Sequence, residues 1–236
     1  MTARGSGLVK SWSYSRAADY RKCPARFRFK HIAKLPEPSS PALERGGAVD
    51  EAVTRYLDGT SRTLPAESKF GLRYGKLRDE LAVLRKAKAR TQLELAVTRD
   101  WEPCDWRDWD RAWLRAKLDA ALLIDSEPRV LRIIDNKTGK VRPEEHAEQV
   151  EIYAAVAAAF YPEAEEIRGQ LFYLDQGFAS DPAVFTDLRR TVPRLRMKWE
   201  KITAPMFRDT RFRATPGGHC VWCPYSGKRG GPCDKG

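Results

Sequence analysis

The chain has 236 residues, 42% of them hydrophobic and 32% charged, which fits one large globular domain, or one domain with a tail, and argues against general disorder. Forty-three Lys and Arg against 32 Asp and Glu leave a formal charge of +11, which points to a polyanion such as nucleic acid and, less well, to an anionic membrane surface. The longest fully apolar run, residues 152–161, has ten residues, too few to span a bilayer. Met1–Gly7 carries no apolar signal core, so a cytoplasmic protein without a membrane partner is expected. Five cysteines in such a chain suit ligands or free thiols better than a disulfide framework.

Ser11-Trp-Ser-Tyr-Ser15 offers helix caps, because a serine oxygen accepts an orphan N–H of a first turn. Residues 16–28 then predict a short helix broken at Pro24. Residues 36–41, rich in Pro and Ser, predict a loop. Residues 43–57 and 68–89 predict helices separated by a turn around 59–65. The hydrophobic period then changes to two. Leu93, Leu95 and Val97 alternate with Gln92, Glu94 and Thr98, which predicts a half-buried strand. Residues 113–124 repeat the pattern, with Leu114, Ala116, Leu118, Ala120, Leu122 and Ile124 on one face. Residues 129–136 predict a third strand, and the Ala-rich stretch 143–160 a helix stopped by Pro162. Residues 167–174 predict a fourth strand, and 183–186 offer a fifth. Residues 187–202 predict a basic helix, interrupted at Pro193, and a Cys-, Gly- and Pro-rich loop follows from Pro205. This order predicts an α/β fold with one mixed sheet and flanking helices.

If the second and third strands pair as a meander, Asp119 and Asp135 approach each other. Alternation puts Asp135 and Lys137 on one face and Asn136 on the other. Converging carboxylates repel, and a hard divalent cation relieves the repulsion. Lys137 is placed to orient or help deprotonate an attacking water, or to stabilise charge developing on a phosphate. An isolated Asp-x-Lys is most often only a polar strand end. Here it stands in an ordered set: Gly47-Ala-Val-Asp50 in an N-terminal helix, Asp119 in a strand, Asp135-Asn136-Lys137 in the next, and Gln149 with Tyr153 at i and i+4 on a helix. Glu94, on the polar face of the first strand, is a further candidate for the acidic cluster and equally a solvated strand residue.

That ordered set resembles the PD-(D/E)xK nucleases of the RecB type, from about Ser13 to Cys233. The resemblance implies a restriction-endonuclease-like core in a single nuclease domain over residues 1–236. Its parts are an N-terminal cluster segment (13–35), a helical segment (43–90), the nuclease core (91–203) and a Cys-rich segment (205–236). It implies Asp119 and Asp135 as Mg²⁺ or Mn²⁺ ligands with the Asn136 carbonyl assisting, Lys137 as the catalytic lysine, and Gln149 and Tyr153 as supporting site residues. The family's helix motif has His where this chain has Asp50. Asp is a harder ligand and can still bind Mg²⁺ or Mn²⁺.

Cys220-Val-Trp-Cys223, then Cys233, with Cys23-Pro24 near the other end, make a four-thiolate set that suits Zn²⁺ or a [4Fe-4S] cluster. Residue chemistry does not separate the two. The resemblance does: some RecB-type nucleases, including the AddB subunit and CRISPR-associated exonucleases, hold a [4Fe-4S] cluster with one Cys before the core and three after it. Tyr20-Arg-Lys-Cys23-Pro24 and Cys223-Pro-Tyr225 look like those elements. A cluster joining the N- and C-terminal segments closes a loop of roughly 200 residues and restricts the unfolded chain by roughly 5 kcal/mol. Cys104 is expected to be a free thiol.

Residues 100–111 carry five acids and two Arg around Trp101, Trp106 and Trp109, with Trp113 just beyond. A net negative segment repels phosphates, so packing or an interface is the expected role of these Trp residues. Arg189, Arg190, Arg194, Arg196, Lys198 and Lys201 are better phosphate-contact candidates. The expected activity is a metal-dependent DNA exonuclease acting on single-stranded DNA or DNA ends in recombination, repair or end processing, with protein partners in those pathways. The rivals are a catalytically weak or inactive DNA-end-binding protein of the same fold, which Asp50 in place of His favours, and a zinc-stapled nucleic-acid-binding module.

Overall fold

The computed structural model describes residues 9–235, apart from the side chains of Pro143 and Glu145; the reading of Met1–Gly7 lies outside the described residues. In chain order the helices and strands are α1 (Tyr14–Lys22), α2 (Pro24–Phe27), α3 (Pro41–Leu57), α4 (Glu67–Phe70), α5 (Leu77–Lys86), β1 (Arg90–Val97), β2 (Pro103–Cys104), β3 (Leu114–Ile124), β4 (Val130–Lys137), α6 (Pro143–Phe160), β5 (Glu166–Tyr173), β6 (Phe178–Ala179), β7 (Ala183–Phe185) and α7 (Leu188–Arg208). A π-helical turn follows α2 at Arg28–Ile32, and short 3-10 turns occupy Gly218–Trp222 and Gly227–Arg229. Among the described residues, no helix is long and apolar enough to cross a membrane.

Two compact units emerge, Ser40–Met197 and the pair of segments Met1–Ser39 and Lys198–Gly236. In the first, the strands form one sheet in the order β2-β1-β3-β4-β5-β6, with β7 also on β5. β1, β3 and β4 are the expected antiparallel meander. After α6 crosses over, β5 pairs parallel to β4, so the sheet is mixed, as a β-α-β connection requires. Ser40 caps α3 by accepting the Leu43 N–H at 3.2 Å, and Pro41 follows it inside the first turn. Val49, Val53 and Leu57 of α3 and Leu77, Leu81 and Leu84 of α5 pack with Ala120, Ile134, Phe172 and Leu174. Val150 of α6 packs with Leu171 and Tyr173, on the other face of the sheet. The sheet is thus covered on both sides, with α3 and α6 in opposite layers.

The second unit has an aromatic core. Trp12 stacks on Trp199 at 6.0 Å, and Phe27 on Phe212 at 6.0 Å with Tyr20 edge-on to both. Ser13 caps α1. The Tyr20 hydroxyl donates to Asp209 at 2.9 Å.

Several expectations need correction. The predicted helix over 68–89 is two helices, because Gly71 and Gly75 adopt φ of +67° and +47°, which ends one helix and turns the chain before the next. The first helix begins earlier, at Tyr14, and breaks at Cys23 ahead of Pro24 as expected. The basic helix is not interrupted at Pro193, and it runs through Pro205 to Arg208. Burial of Val192, Trp199 and Met206 at seven-residue intervals offsets the hydrogen bonds that two prolines forfeit. β2 and β6 are additional two-residue strands.

Candidate active site

The β3–β4 ladder ends at Ala120↔Ile134. The next positions, Asp119 and Asp135, face each other where the two strands part. There the Asn136 N–H donates to Asp119 Oδ2 at 2.6 Å, so a carboxylate takes the place of a strand carbonyl. Asp50 of α3 reaches the same point from one layer. Its Oδ1 accepts from Asn136 Nδ2 at 3.3 Å and its Oδ2 from Gln92 Nε2 at 2.9 Å. Gln149 of α6 arrives from the opposite layer. Its Nε2 lies 3.2 Å from Asp135 Oδ1 and 2.6 Å from the Tyr153 hydroxyl, and its Oε1 accepts from Lys137 Nζ at 2.8 Å. Lys137 Nζ also forms an ion pair with Asp135 Oδ2. Asp50, Asp119, Asp135, Asn136, Lys137, Gln149 and Tyr153 are therefore brought together.

Burial first, then the neighbouring Asp135 and Asp50 carboxylates, push the Asp119 carboxyl well above its usual range. Burial also raises Asp135, against the pull of Lys137 and with Asp50 adding repulsion. Three carboxyl groups with one lysine are an oxygen-rich donor set that suits a hard divalent cation. Asn136 Oδ1 is buried there with no hydrogen-bond partner among the described residues, a second sign that an acceptor-rich site awaits a positive group. As the side chains stand, no three His, Cys, Asp or Glu among the described residues are close enough to share one metal ion. Binding a cation requires the carboxylates to close in on it.

Glu94 does not join the cluster: it is exposed and lies across from Lys117. No local sequence pattern marks Gln92 or Thr54 as site residues, nor a clasp beside the site. Arg45 of α3 donates through Nη1 to Asp175 Oδ2 at 3.0 Å and through Nε to the Phe70 carbonyl at 3.0 Å. Asp175 also accepts the Gly139 N–H at 2.6 Å. Burial pushes the Asp175 carboxyl up, but Arg45 and the Gly139 amide outweigh it and hold that group below its usual range. His146, one turn before Gln149, lies 3.1 Å from the Tyr173 hydroxyl.

In the other unit Cys23, Cys220, Cys223 and Cys233 all line one small cavity. The Thr215 N–H points at Cys23 Sγ at 3.5 Å and the Gly217 N–H at Cys220 Sγ at 3.4 Å. The long gap between Cys223 and Cys233 folds back on itself: Ser226 and Cys233 form a parallel bridge, and the Cys233 N–H donates to the Tyr225 carbonyl at 2.9 Å. Cys104 is half-buried in β2.

Trp101 and Trp113 are buried and pack edge to face at 5.7 Å, the expected packing role. Trp109 is exposed, with the Arg115 guanidinium 4.5 Å from its ring centre. Arg196 lies over the Trp101 ring at 5.1 Å, whereas Arg189, Arg190 and Arg194 are exposed.

No curated protein matches the chain. Three of the solved structures that resemble it follow. The crystal structure of SSO0001 has a TM-score of 0.44 and 15% identity over 96% of this chain and 87% of that one. A Eubacterium rectale protein provisionally named an exonuclease has a TM-score of 0.44 and 12% identity over 94% and 92%. LHK-Exo, in complex with dAMP, has a TM-score of 0.39 and 14% identity over 86% and 91%. The family profile described as the PD-(D/E)XK nuclease superfamily matches residues 11–227, the span that contains every acid, amide and lysine of the site. The chain belongs to the PD-(D/E)XK nuclease superfamily.

Proposed function

We propose that residues 1–236 act as one Mg²⁺- or Mn²⁺-dependent deoxyribonuclease domain that hydrolyses phosphodiester bonds from DNA ends. The observation that carries this reading is the convergence of Asp50, Asp119, Asp135 and Lys137 where β3 and β4 part. Asp50, Asp119 and Asp135 would hold the cation, with Asn136 completing its surroundings. When bound, the cation neutralises the acids and draws off charge that develops on the scissile phosphate. Lys137 is kept beside that position by Gln149 Oε1, and Gln149 is itself braced by the Tyr153 hydroxyl. A lysine so held has little freedom to lose at the moment of reaction, and its ammonium stabilises an attacking water or the forming oxyanion. The net charge of +11 and the exposed Arg189, Arg190 and Arg194 suit contact with a phosphate backbone. Processing of ends in recombination or repair is the setting that this chemistry serves.

A structural [4Fe-4S] cluster belongs to the same proposal. Its support is the donor set: four Cys residues line one cavity, and the sulfurs of Cys23 and Cys220 accept backbone N–H groups, as thiolate ligands do, although the four would have to draw closer to share a cluster. The cluster would tie segments distant in sequence and take no part in hydrolysis.

A second reading is a DNA-end-binding protein that cleaves weakly. It is favoured by Asp50, which stands where the family's helix motif has His. Digestion of uniformly labelled linear and closed circular DNA with Mg²⁺, Mn²⁺ or EDTA separates the readings. Metal-dependent loss of label from linear DNA alone supports the exonuclease. Binding to linear DNA without loss of label supports the end-binding protein.

A further inference from the structure

Gln92 lies within β1 between the pairs Thr91↔Ala120 and Leu93↔Leu118, at the position across from Asp119. Its φ is +49°. That left-handed conformation is natural for Gly and tolerable for Asn or Asp, but it strains a residue with a longer side chain. A sequence under no other demand would place Gly or Asn there, so the Gln side chain needs a reason. The structure supplies one. The Gln92 amide donates to Asp50 Oδ2 at 2.9 Å and to Thr54 Oγ1 at 3.0 Å, from a strand to a helix 42 and 38 residues away in sequence. Asp50 and Thr54 are one turn apart on α3, so one amide group grips both.

We infer that Gln92 is a positioning residue for the divalent cation, which fixes the Asp50 carboxylate opposite Asp119 and Asp135. This rests on the reading of those three acids as the cation's ligands. The two donors of one NH₂ group hold the Asp50 side chain in one rotamer. Closing on a cation then brings Asp119 and Asp135 toward an Asp50 that is already ordered, so less freedom is lost than if all three acids had first to be ordered. The strained backbone at Gln92 is the cost of presenting the amide from a sheet position that extended geometry would direct elsewhere.

The test uses the full chain, stripped of metal with EDTA and then dialysed. Mn²⁺ binding is measured by calorimetry, and thermal unfolding is followed without metal. Gln92→Gly relieves the left-handed backbone and removes the amide. Gln92→Asn tolerates the backbone and keeps an amide, but it is one methylene too short to reach Asp50. Both should weaken Mn²⁺ binding by about tenfold or more, the usual effect of removing a hydrogen-bond partner that orients a metal ligand. Both should leave the unfolding temperature without metal unchanged or raised, since strain has been released. If both variants bind Mn²⁺ as tightly as the parent, or lose stability in step with affinity, Gln92 is only a tie between β1 and α3 and the inference is overturned. Asp50→Ala separates the two levels. With Mn²⁺ binding lost in Asp50→Ala but kept in the Gln92 variants, the ligand reading stands and the positioning role falls. With no Mn²⁺ binding by the parent, or unchanged binding by Asp50→Ala, both fall.

Discussion

Gly169 lets α6 lie close against β5, and that closeness sets where Gln149 stands. A Cβ at Gly169 would overlap Val150 Cγ1 and lie 3.4 Å from Val150 Cβ. Val150 is buried against Leu171 and Tyr173, so its side chain has little room to turn away. Relieving the overlap requires a shift on the order of 1 to 2 Å, given ordinary carbon–carbon contact at about 3.5–4.0 Å. Overpacking of this kind costs about 1–3 kcal/mol. For a chain of this size, Gly169→Ala should then lower the unfolding temperature by about 2–12 °C. The same shift moves Gln149, the next residue, relative to Lys137 and Asp135, so turnover should fall more than DNA affinity does. Thermal unfolding of Gly169→Ala, of Val150→Ala and of the double variant checks the cause. Val150→Ala removes the obstructing methyls, so the double variant should be more stable than the sum of the single effects by at least about 0.5 kcal/mol. Strict additivity, or an unchanged unfolding temperature for Gly169→Ala, would refute the reasoning.

Other predictions follow from the acids, the cysteines and the basic helix. Asp119 has a raised carboxyl pKa in the fold, so the folded chain holds a proton that the unfolded chain has released. The stability that Asp119 contributes to the metal-free fold should therefore be fully present below the ordinary carboxyl value of about 3.9 and be lost as pH rises through the raised one. Asp119→Asn should flatten that fall, raise the metal-free unfolding temperature near neutral pH and abolish its increase with Mn²⁺; a lowered metal-free unfolding temperature would contradict this. Protein purified without oxygen should be brown and contain iron and sulfide, with colour lost in Cys23→Ser and kept in Cys104→Ser; colourless protein loaded with zinc would sink the cluster. Arg189→Ala with Arg194→Ala should reduce the dependence of DNA affinity on salt by one to two units of slope if both contact phosphates, and an unchanged slope would place the DNA elsewhere.

The sheet was legible in the sequence where one face of a strand is apolar and the other polar. Leu114 to Ala120 alternates because Ala116, Leu118 and Ala120 enter the core while Lys117 stays in water. The Asp135-x-Lys137 spacing was legible for the same reason, since a period of two puts both side chains on the α6 face. The break at Gly71–Gly75 was not, because amphipathic residues on either side continued a helical pattern and only the positive φ values of those glycines end it. The length of α7 was hidden by two prolines, whose local cost is smaller than the burial of Trp199 and Met206. Gln92 and Asp175 act on Asp50 and Arg45 across 42 and 130 residues of sequence. No local pattern carries such contacts, and a Gln in a polar strand position reads as an ordinary solvated residue.

The most direct test of the central claim is the single-turnover cleavage of end-labelled DNA by Lys137→Ala at saturating Mg²⁺ or Mn²⁺, with metal binding measured in parallel. Lys137 is held by Gln149 and Asp135 beside the acids but is not itself a ligand. Its removal should leave cation and DNA binding in place and cost the transition state about 3 kcal/mol or more, a loss of roughly a hundredfold or greater in rate. Cleavage by Lys137→Ala at the parent's rate would mean that the activity arises elsewhere, and the site described would not be the active site.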